Sequence, residues 1–250
     1  MKKSHLVLEQ VSKSFPRVET DGVTHAVTNI NLSVHDGEFV CLVGPSGCGK
    51  STILRMVAGL IPPTLGKITL NEQSIDGPSD ECGMVFQKPT LFPWLTVENN
   101  INFSFRMAGN LDQHRDDVER ILKMIGLEEF RTDYPGQLSG GMAQRVSLAR
   151  SLITEPRILL LDEPLGALDA FTRMNMQDEI LNIWQQNRNL FMMVTHDVDE
   201  AVYMSTRILV MEPSPGRIKE DIAIDLPYPR KRSSEEFTAC RSRILAALDF

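Results

Sequence analysis

The sequence predicts an α/β fold on a mostly parallel sheet, and three stretches predict it. Gly44-Pro45-Ser46-Gly47-Cys48-Gly49-Lys50-Ser51-Thr52 fits the pattern of glycine, four residues, then Gly-Lys-Ser/Thr, with a buried strand expected over 38–43 and a helix over 51–60. Residues 158–161 form a continuous apolar run that ends on Asp162 and Glu163, and residues 191–195 form a second that delivers His196. Strands apolar throughout are buried on both faces, the habit of parallel sheets, which offer side chains to ligands at their carboxyl ends.

The glycine-rich stretch reads as a cradle for a nucleotide triphosphate. Its glycines let consecutive N–H groups converge on one anion, the following helix turns its positive end toward the same point, and Lys50, a loop lysine facing solvent, adds a full charge. A chance match in a chain of this composition has odds on the order of one in a hundred.

At 250 residues and 42% hydrophobic content the chain has ample material for a packed core, in one large or two small domains. A net charge of −7 disfavours a nucleic-acid scaffold. No apolar run approaches the ~18 residues that span a bilayer, and Met1-Lys2-Lys3 leads into mixed polar sequence, so a soluble, unexported chain is expected. Cys41, Cys48, Cys82 and Cys240 lack paired metal-ligand spacing and read as reduced thiols of a cytoplasmic protein.

In chain order, residues 6–11 and 26–34 read as strands of a leading antiparallel sheet. Phe15 lies between them, before a polar loop with Pro16, Asp21 and Gly22; such an aromatic either stacks on a purine or closes the core. After the first helix, Pro62, Pro63 and Gly66 break the chain before a strand at 67–70 and a turn-rich stretch at 71–80. A strand over 84–87 places Gln87 at the sheet's carboxyl edge. Residues 88–96 hold Phe92 and Trp94 between prolines, an apolar partner surface or a buried loop.

Residues 97–127 turn helical, with Val118, Ile121, Leu122 and Ile125 at spacings of three and four. Leu138-Ser139-Gly140-Gly141-Met142 then opens another helix, with Ser139 as N-cap and two glycines that allow close approach to free N–H groups, either for a second phosphate contact or simply as a capped start. Asp162 suits Mg²⁺ and Glu163 suits polarisation of an attacking water. Asp169 opens a helix reaching about residue 186, and Asp197 with Glu200 is an N-cap pair just after His196. Strands at 207–211 and 218–226 flank a tight turn at 213–216. Arg230-Lys231-Arg232 reads as a solvated turn or a contact with a membrane surface or partner, and Phe237, Ile244 and Leu245 mark a last helix too small to stand alone.

Taken together, the phosphate loop, Gln87, the Leu138–Met142 stretch, Asp162-Glu163, Asp169 and His196 resemble the nucleotide-binding subunits of ABC transporters over nearly the whole chain. The resemblance implies a P-loop NTPase core (RecA-like mostly parallel sheet) over 1–88 and 156–226 with an antiparallel β subdomain, an inserted α-helical subdomain over 89–155, and a short tail over 227–250. It implies ATP and Mg²⁺ as cofactors. Phe15 would stack on adenine. Gly44, Pro45, Ser46, Gly47, Cys48, Gly49, Lys50, Ser51 and Thr52 would hold the phosphates, with Ser51, Gln87 and Asp162 toward the metal. Glu163 would be the catalytic base and His196 a γ-phosphate contact, while Ser139, Gly140 and Gly141 would bind nucleotide held by a second copy. Met142 and Phe15 depart from the commoner Gln and Tyr without removing an essential group.

Residues 91–97, 213–218 and 225–230 are similar to the nitrate, sulfonate and taurine importer group, lineage marks that lie outside the chemistry. The implied partners are an integral-membrane permease, a second ATP-binding subunit and, indirectly, a periplasmic or extracellular solute-binding protein, with the chain peripheral on the cytoplasmic membrane face. A soluble assembly or repair ATPase is the competing class, but no sustained heptads separate the two nucleotide motifs. A GTP switch would need an Asn-Lys-x-Asp motif, and the chain has none.

Overall fold

The computed structural model describes residues 4–17 and 22–248. Along the chain run β1 (His5–Pro16), β2 (Val23–His35), β3 (Phe39–Val43), α1 (Lys50–Val57), β4 (Leu65–Leu70), β5 (Gln73–Ser74) and β6 (Cys82–Val85). Helices α2 (Val97–Ile101), α3 (Phe103–Ala108), α4 (Arg115–Met124) and α5 (Gly140–Leu152) follow. The chain then continues through β7 (Ile158–Asp162), α6 (Ala170–Asn187), β8 (Leu190–Val194), α7 (Val198–Met204), β9 (Arg207–Glu212), β10 (Arg217–Ala223) and α8 (Glu235–Ala247).

The central sheet has the order β10-β9-β3-β8-β7-β6, parallel throughout except at β10, and an antiparallel sheet has the order β2-β1-β4-β5. Pleating explains why its inner strands are apolar at every position. Phe39, Cys41 and Val43 of β3 pack into one core with the helices, while Val40 and Leu42 pack into a second with α1 and the antiparallel sheet. Leu159 and Leu161 against Ile158 and Leu160 repeat the division in β7, as do Phe191 and Met193 against Leu190 and Met192 in β8. Leu42 and Asp162 both pair with Val194, so the carboxyl ends of β3, β8 and β7 are level.

Several boundaries differ from the sequence expectation for local reasons. β1 continues past Val11 through register irregularities to Pro16, so Phe15 lies on a strand opposite Thr24 and is 39% exposed instead of closing the core. Asp21 lies outside the described residues. The helical span divides into α2, α3 and α4, with Gly109 ending α3 in the left-handed region. The strand before Gln87 stops at Val85, leaving Phe86 between them. Among the described residues no helix is long and apolar enough to cross a membrane.

Within the basic triplet Lys231 is exposed, as a solvated turn requires, but Arg230 is not. Arg230 is buried: Nη1 donates to the carbonyls of Val202 (2.5 Å) and Ser205 (2.6 Å), Nη2 to that of Ile224 (3.3 Å) and Nε to that of Leu226 (3.1 Å), and the guanidinium lies 4.1 Å from the Tyr228 ring. Two of those carbonyls end α7, where the helix leaves carbonyls without an intrahelical donor, and the Tyr228 hydroxyl donates to a third, that of Met204 (2.8 Å). The fork shape of the side chain, which residue-type patterns do not reveal, makes it a buried C-terminal cap. Arg230→Ala is expected to lower unfolding free energy by at least about 3 kcal/mol, since each stranded buried carbonyl costs about 1–3 kcal/mol and those that water reaches cost less. Urea denaturation measures it, and a loss below about 1 kcal/mol would contradict this account of the cap.

Candidate functional site

The glycine-rich loop leaves β3 and enters α1 through Gly49, whose φ of 93° belongs to the left-handed region. A side chain there would also meet Val27 Cγ1 at 2.3 Å, so β2 packs directly behind the loop. The first N–H groups of α1 have no acceptor within the helix and point out of its end. Lys50 is not the solvent-facing lysine that a loop position suggests. It is 8% exposed, with Nζ donating to the carbonyls of Gly44 (2.7 Å) and Pro45 (2.9 Å). A full charge is thus held at the loop mouth.

Across the level strand ends the other polar groups assemble. Ser51 Oγ donates to Asp162 Oδ1 at 2.8 Å. Burial pushes the Asp162 carboxyl up from its ordinary range, opposed by the Ser51 hydroxyl and the charge of Arg55. Glu163 follows at φ 47°, a left-handed conformation costly for a residue with a Cβ, of order 1–3 kcal/mol. Its N–H donates to the Val194 carbonyl at 3.0 Å, which fixes the turn. Gln87 Nε2 donates to Glu163 Oε2 at 2.9 Å, and His196 Nδ1 is 3.4 Å from the same oxygen. Three strands, β6, β7 and β8, therefore converge on one carboxylate. The His196 side chain is 71% exposed, held by the turn into α7 that Asp197 caps at Glu200 N (3.1 Å).

Gly44, Pro45, Ser46, Lys50, Gln87, Glu163 and His196 line a cleft of about 530 Å³, while the Ser51–Asp162 pair and residues 47–49 and 52 stand outside that lining. Ser139, Gly140, Gly141 and Phe15 are not among its lining residues. Ser139 caps α5 by accepting from Met142 N (3.2 Å). A side chain on Gly140 would meet open space, whereas one on Gly141 would meet Leu168 at 3.3 Å. The chain holds two phosphate-suited helix starts and joins only one to the cleft.

Ser51 and Asp162 offer hard oxygen donors, which fit Mg²⁺, and no group of three or more His, Cys, Asp or Glu suited to a metal occurs among the described residues. That is the donor set of an ion that keeps its waters and completes its shell with phosphate oxygens.

Sequence reasoning missed three supports. Asn100, fully buried, accepts from Phe92 N and donates to the carbonyls of Phe92, Leu95 and Thr96, stapling the loop after Gln87. Gln144 of α5 donates to the Phe86 carbonyl (3.1 Å), tying the Ser139 helix to the residue before Gln87. Gly216, in a segment expected to lie outside the chemistry, packs behind the phosphate loop, where a Cβ would fall 2.0 Å from the Cys48 carbonyl and 2.8 Å from that of Ala26. Spacing of polar residues signals none of these, because each acts on backbone. Gly216→Ala is expected to push the Cys48 carbonyl aside and weaken ATP binding at least tenfold; unchanged affinity by fluorescent-nucleotide titration would contradict that contact.

The family profile described as ABC transporter matches residues 27–166. An uncharacterized ABC transporter ATP-binding protein of Methanocaldococcus jannaschii is 48% identical over 98% of this chain and 92% of its own length. An aliphatic sulfonates import ATP-binding protein, SsuB, of Bacillus cereus is 43% identical over 97% of this chain and 95% of its own. Among solved structures, a dimeric ATP-binding cassette in a post-hydrolysis state bound to ADP and Pi has TM-score 0.78 and 31% identity, covering 89% of this chain and 100% of that one.

Proposed function

The chain belongs to the ABC transporter family as an ATP-binding ATPase cassette, and from that premise we propose that it powers a membrane importer for a small anion of the sulfonate class. The observation that carries the catalytic part is the convergence of Gln87 and His196 on Glu163, beside Lys50 and the Ser51–Asp162 pair. The sulfonate reading is supported by the similarity to relatives described as importing aliphatic sulfonates.

Residues 1–88 and 156–226 act as the ATP-binding core, 89–155 as the helical subdomain and 227–250 as the tail. The backbone N–H groups of residues 44–52 other than Pro45, which has none, bind the β- and γ-phosphates together with Lys50 Nζ, and Phe15 stacks on adenine. Ser51 and Asp162 would hold Mg²⁺, with Gln87 toward it, and the ion would supply charge neutralisation on the phosphate oxygens. Glu163 orients a water and takes its proton as the water oxygen bonds to the γ-phosphorus and the bond to ADP breaks. Gln87 and His196 fix the Glu163 carboxylate, and His196 reaches the γ-phosphate. Ser139, Gly140, Gly141 and the α5 N-terminus of a second copy cover that phosphate, a reading that rests on the family resemblance and agrees with their lying outside the cleft of their own chain.

The permease docks at the loop after Gln87. Trp94 is 70% exposed, and beside it Phe92, Phe103 and Arg150 line a groove of about 470 Å³. Leu91 packs against the core instead, so the contact narrows to Phe92, Trp94 and Leu95. The chain would then be peripheral on the cytoplasmic face, with a solute-binding protein reached only through the permease. Trp94→Ala is expected to weaken permease binding by about 2 kcal/mol, roughly thirtyfold. Affinity for the detergent-solubilised permease measures it, and unchanged binding would remove this surface. Uptake of an alkanesulfonate against nitrate by vesicles holding the assembled transporter tests the solute; nitrate uptake alone would overturn the sulfonate reading.

A further inference from the structure

The last turn of α8 forms a wall of the phosphate cleft. Leu245 and Leu248 line it together with Gly44, Pro45, His196 and Val198. The helix is fixed in that place. Phe237, Ile244 and Ala247 are buried in the helix-side core, and Arg241 Nε lies 3.3 Å from Asp199 Oδ2 on α7. Leu245 itself belongs to neither core, is half-buried, and has its free side toward the cleft.

An aliphatic side chain gives phosphate nothing, because an anion there needs donors or cations. It suits a second protein surface that removes it from water. The occupant follows from the cleft: on the reading above, on which this inference rests, a second copy closes over the same opening. We propose that the α8 C-terminal turn, through Leu245 and Leu248, is part of the ATP-closed interface between two copies of this chain. Closure then buries the tail along with the nucleotide, so whatever displaces α8 alters the energy of closing.

Hydrogen exchange on Glu163→Gln tests it. With ATP, amides of residues 241–248 are expected to slow at least tenfold relative to ADP, together with those of the phosphate loop and residues 139–145. In Glu163→Gln combined with Ser139→Arg the α8 slowing should disappear, because pairing is blocked while the single copy still binds ATP. Slowing at 139–145 without slowing in α8 overturns the inference and leaves the shared-site reading intact. Slowing of α8 that persists beside Ser139→Arg places Leu245 against the chain's own nucleotide and also overturns it. No slowing at 139–145 overturns the shared-site reading itself, and the inference with it. As a second readout, Leu245→Glu should raise the protein concentration for half-pairing of Glu163→Gln at least tenfold, and Leu245→Met should leave it in place. Equal pairing by Leu245→Glu would count against the contact.

Discussion

ATP turnover by Glu163→Gln is expected to fall about a hundred- to ten-thousandfold, the range that a positioned general base supplies. The exchange keeps the shape of the side chain, and its amide still meets Gln87 and His196, which lie 2.9 Å and 3.4 Å from the carboxylate oxygen. What it loses is the ability to accept a proton from water. Affinity for ATP should therefore persist while hydrolysis does not, and phosphate release under saturating ATP distinguishes the two. Turnover at the wild-type rate would remove Glu163 from the chemistry and leave its left-handed backbone without a role. Gln87→Ala and His196→Ala act on the same oxygen, so their effects combined with Glu163→Gln should be far from additive.

Lys50→Ala should lower both ATP affinity and turnover at least a hundredfold, because it removes the one full positive charge at the loop mouth. Here the structure changes what the sequence alone implies. A solvent-facing loop lysine would contribute little to folding, but Lys50 is buried and its ammonium ties the Gly44 and Pro45 carbonyls together. Part of the lost affinity therefore comes from a loosened loop. Adding inorganic phosphate should protect the wild-type loop amides from exchange and leave those of Lys50→Ala unprotected. Equal ATP turnover by the two proteins would contradict the phosphate assignment.

The parts of this molecule legible in sequence are those where residue type and local spacing carry the signal. The phosphate loop, the apolar strands leading to Asp162 and His196, and the caps at Ser139, Asp169 and Asp197 all depend on neighbours within a few positions. The strand order is not local: β3 pairs with β8 and β9, which lie about 150 and 170 residues later, and only the parallel-sheet reasoning places their carboxyl ends together. Arg230 was unreadable because a charged triplet ordinarily lies in water, and nothing nearby announces that the α7 carbonyls need a donor. Asn100 and Gly216 were unreadable for the same reason, since their partners are main-chain atoms of distant segments. Leu245 was visible as part of a last helix, but its place in the cleft depends on how α8 packs across α7.

The account rests on one nucleotide being shared by two copies, and the molar mass of Glu163→Gln in solution tests it most directly. Light scattering should give the mass of a single chain without nucleotide, twice that mass with ATP, and the single mass again with ADP. Ser139→Arg in the same background should remain single with ATP, because bulk and charge block the approach of the α5 N-terminus. If ATP leaves Glu163→Gln at the mass of one chain, or if Ser139→Arg pairs as readily as its parent, the shared site is contradicted.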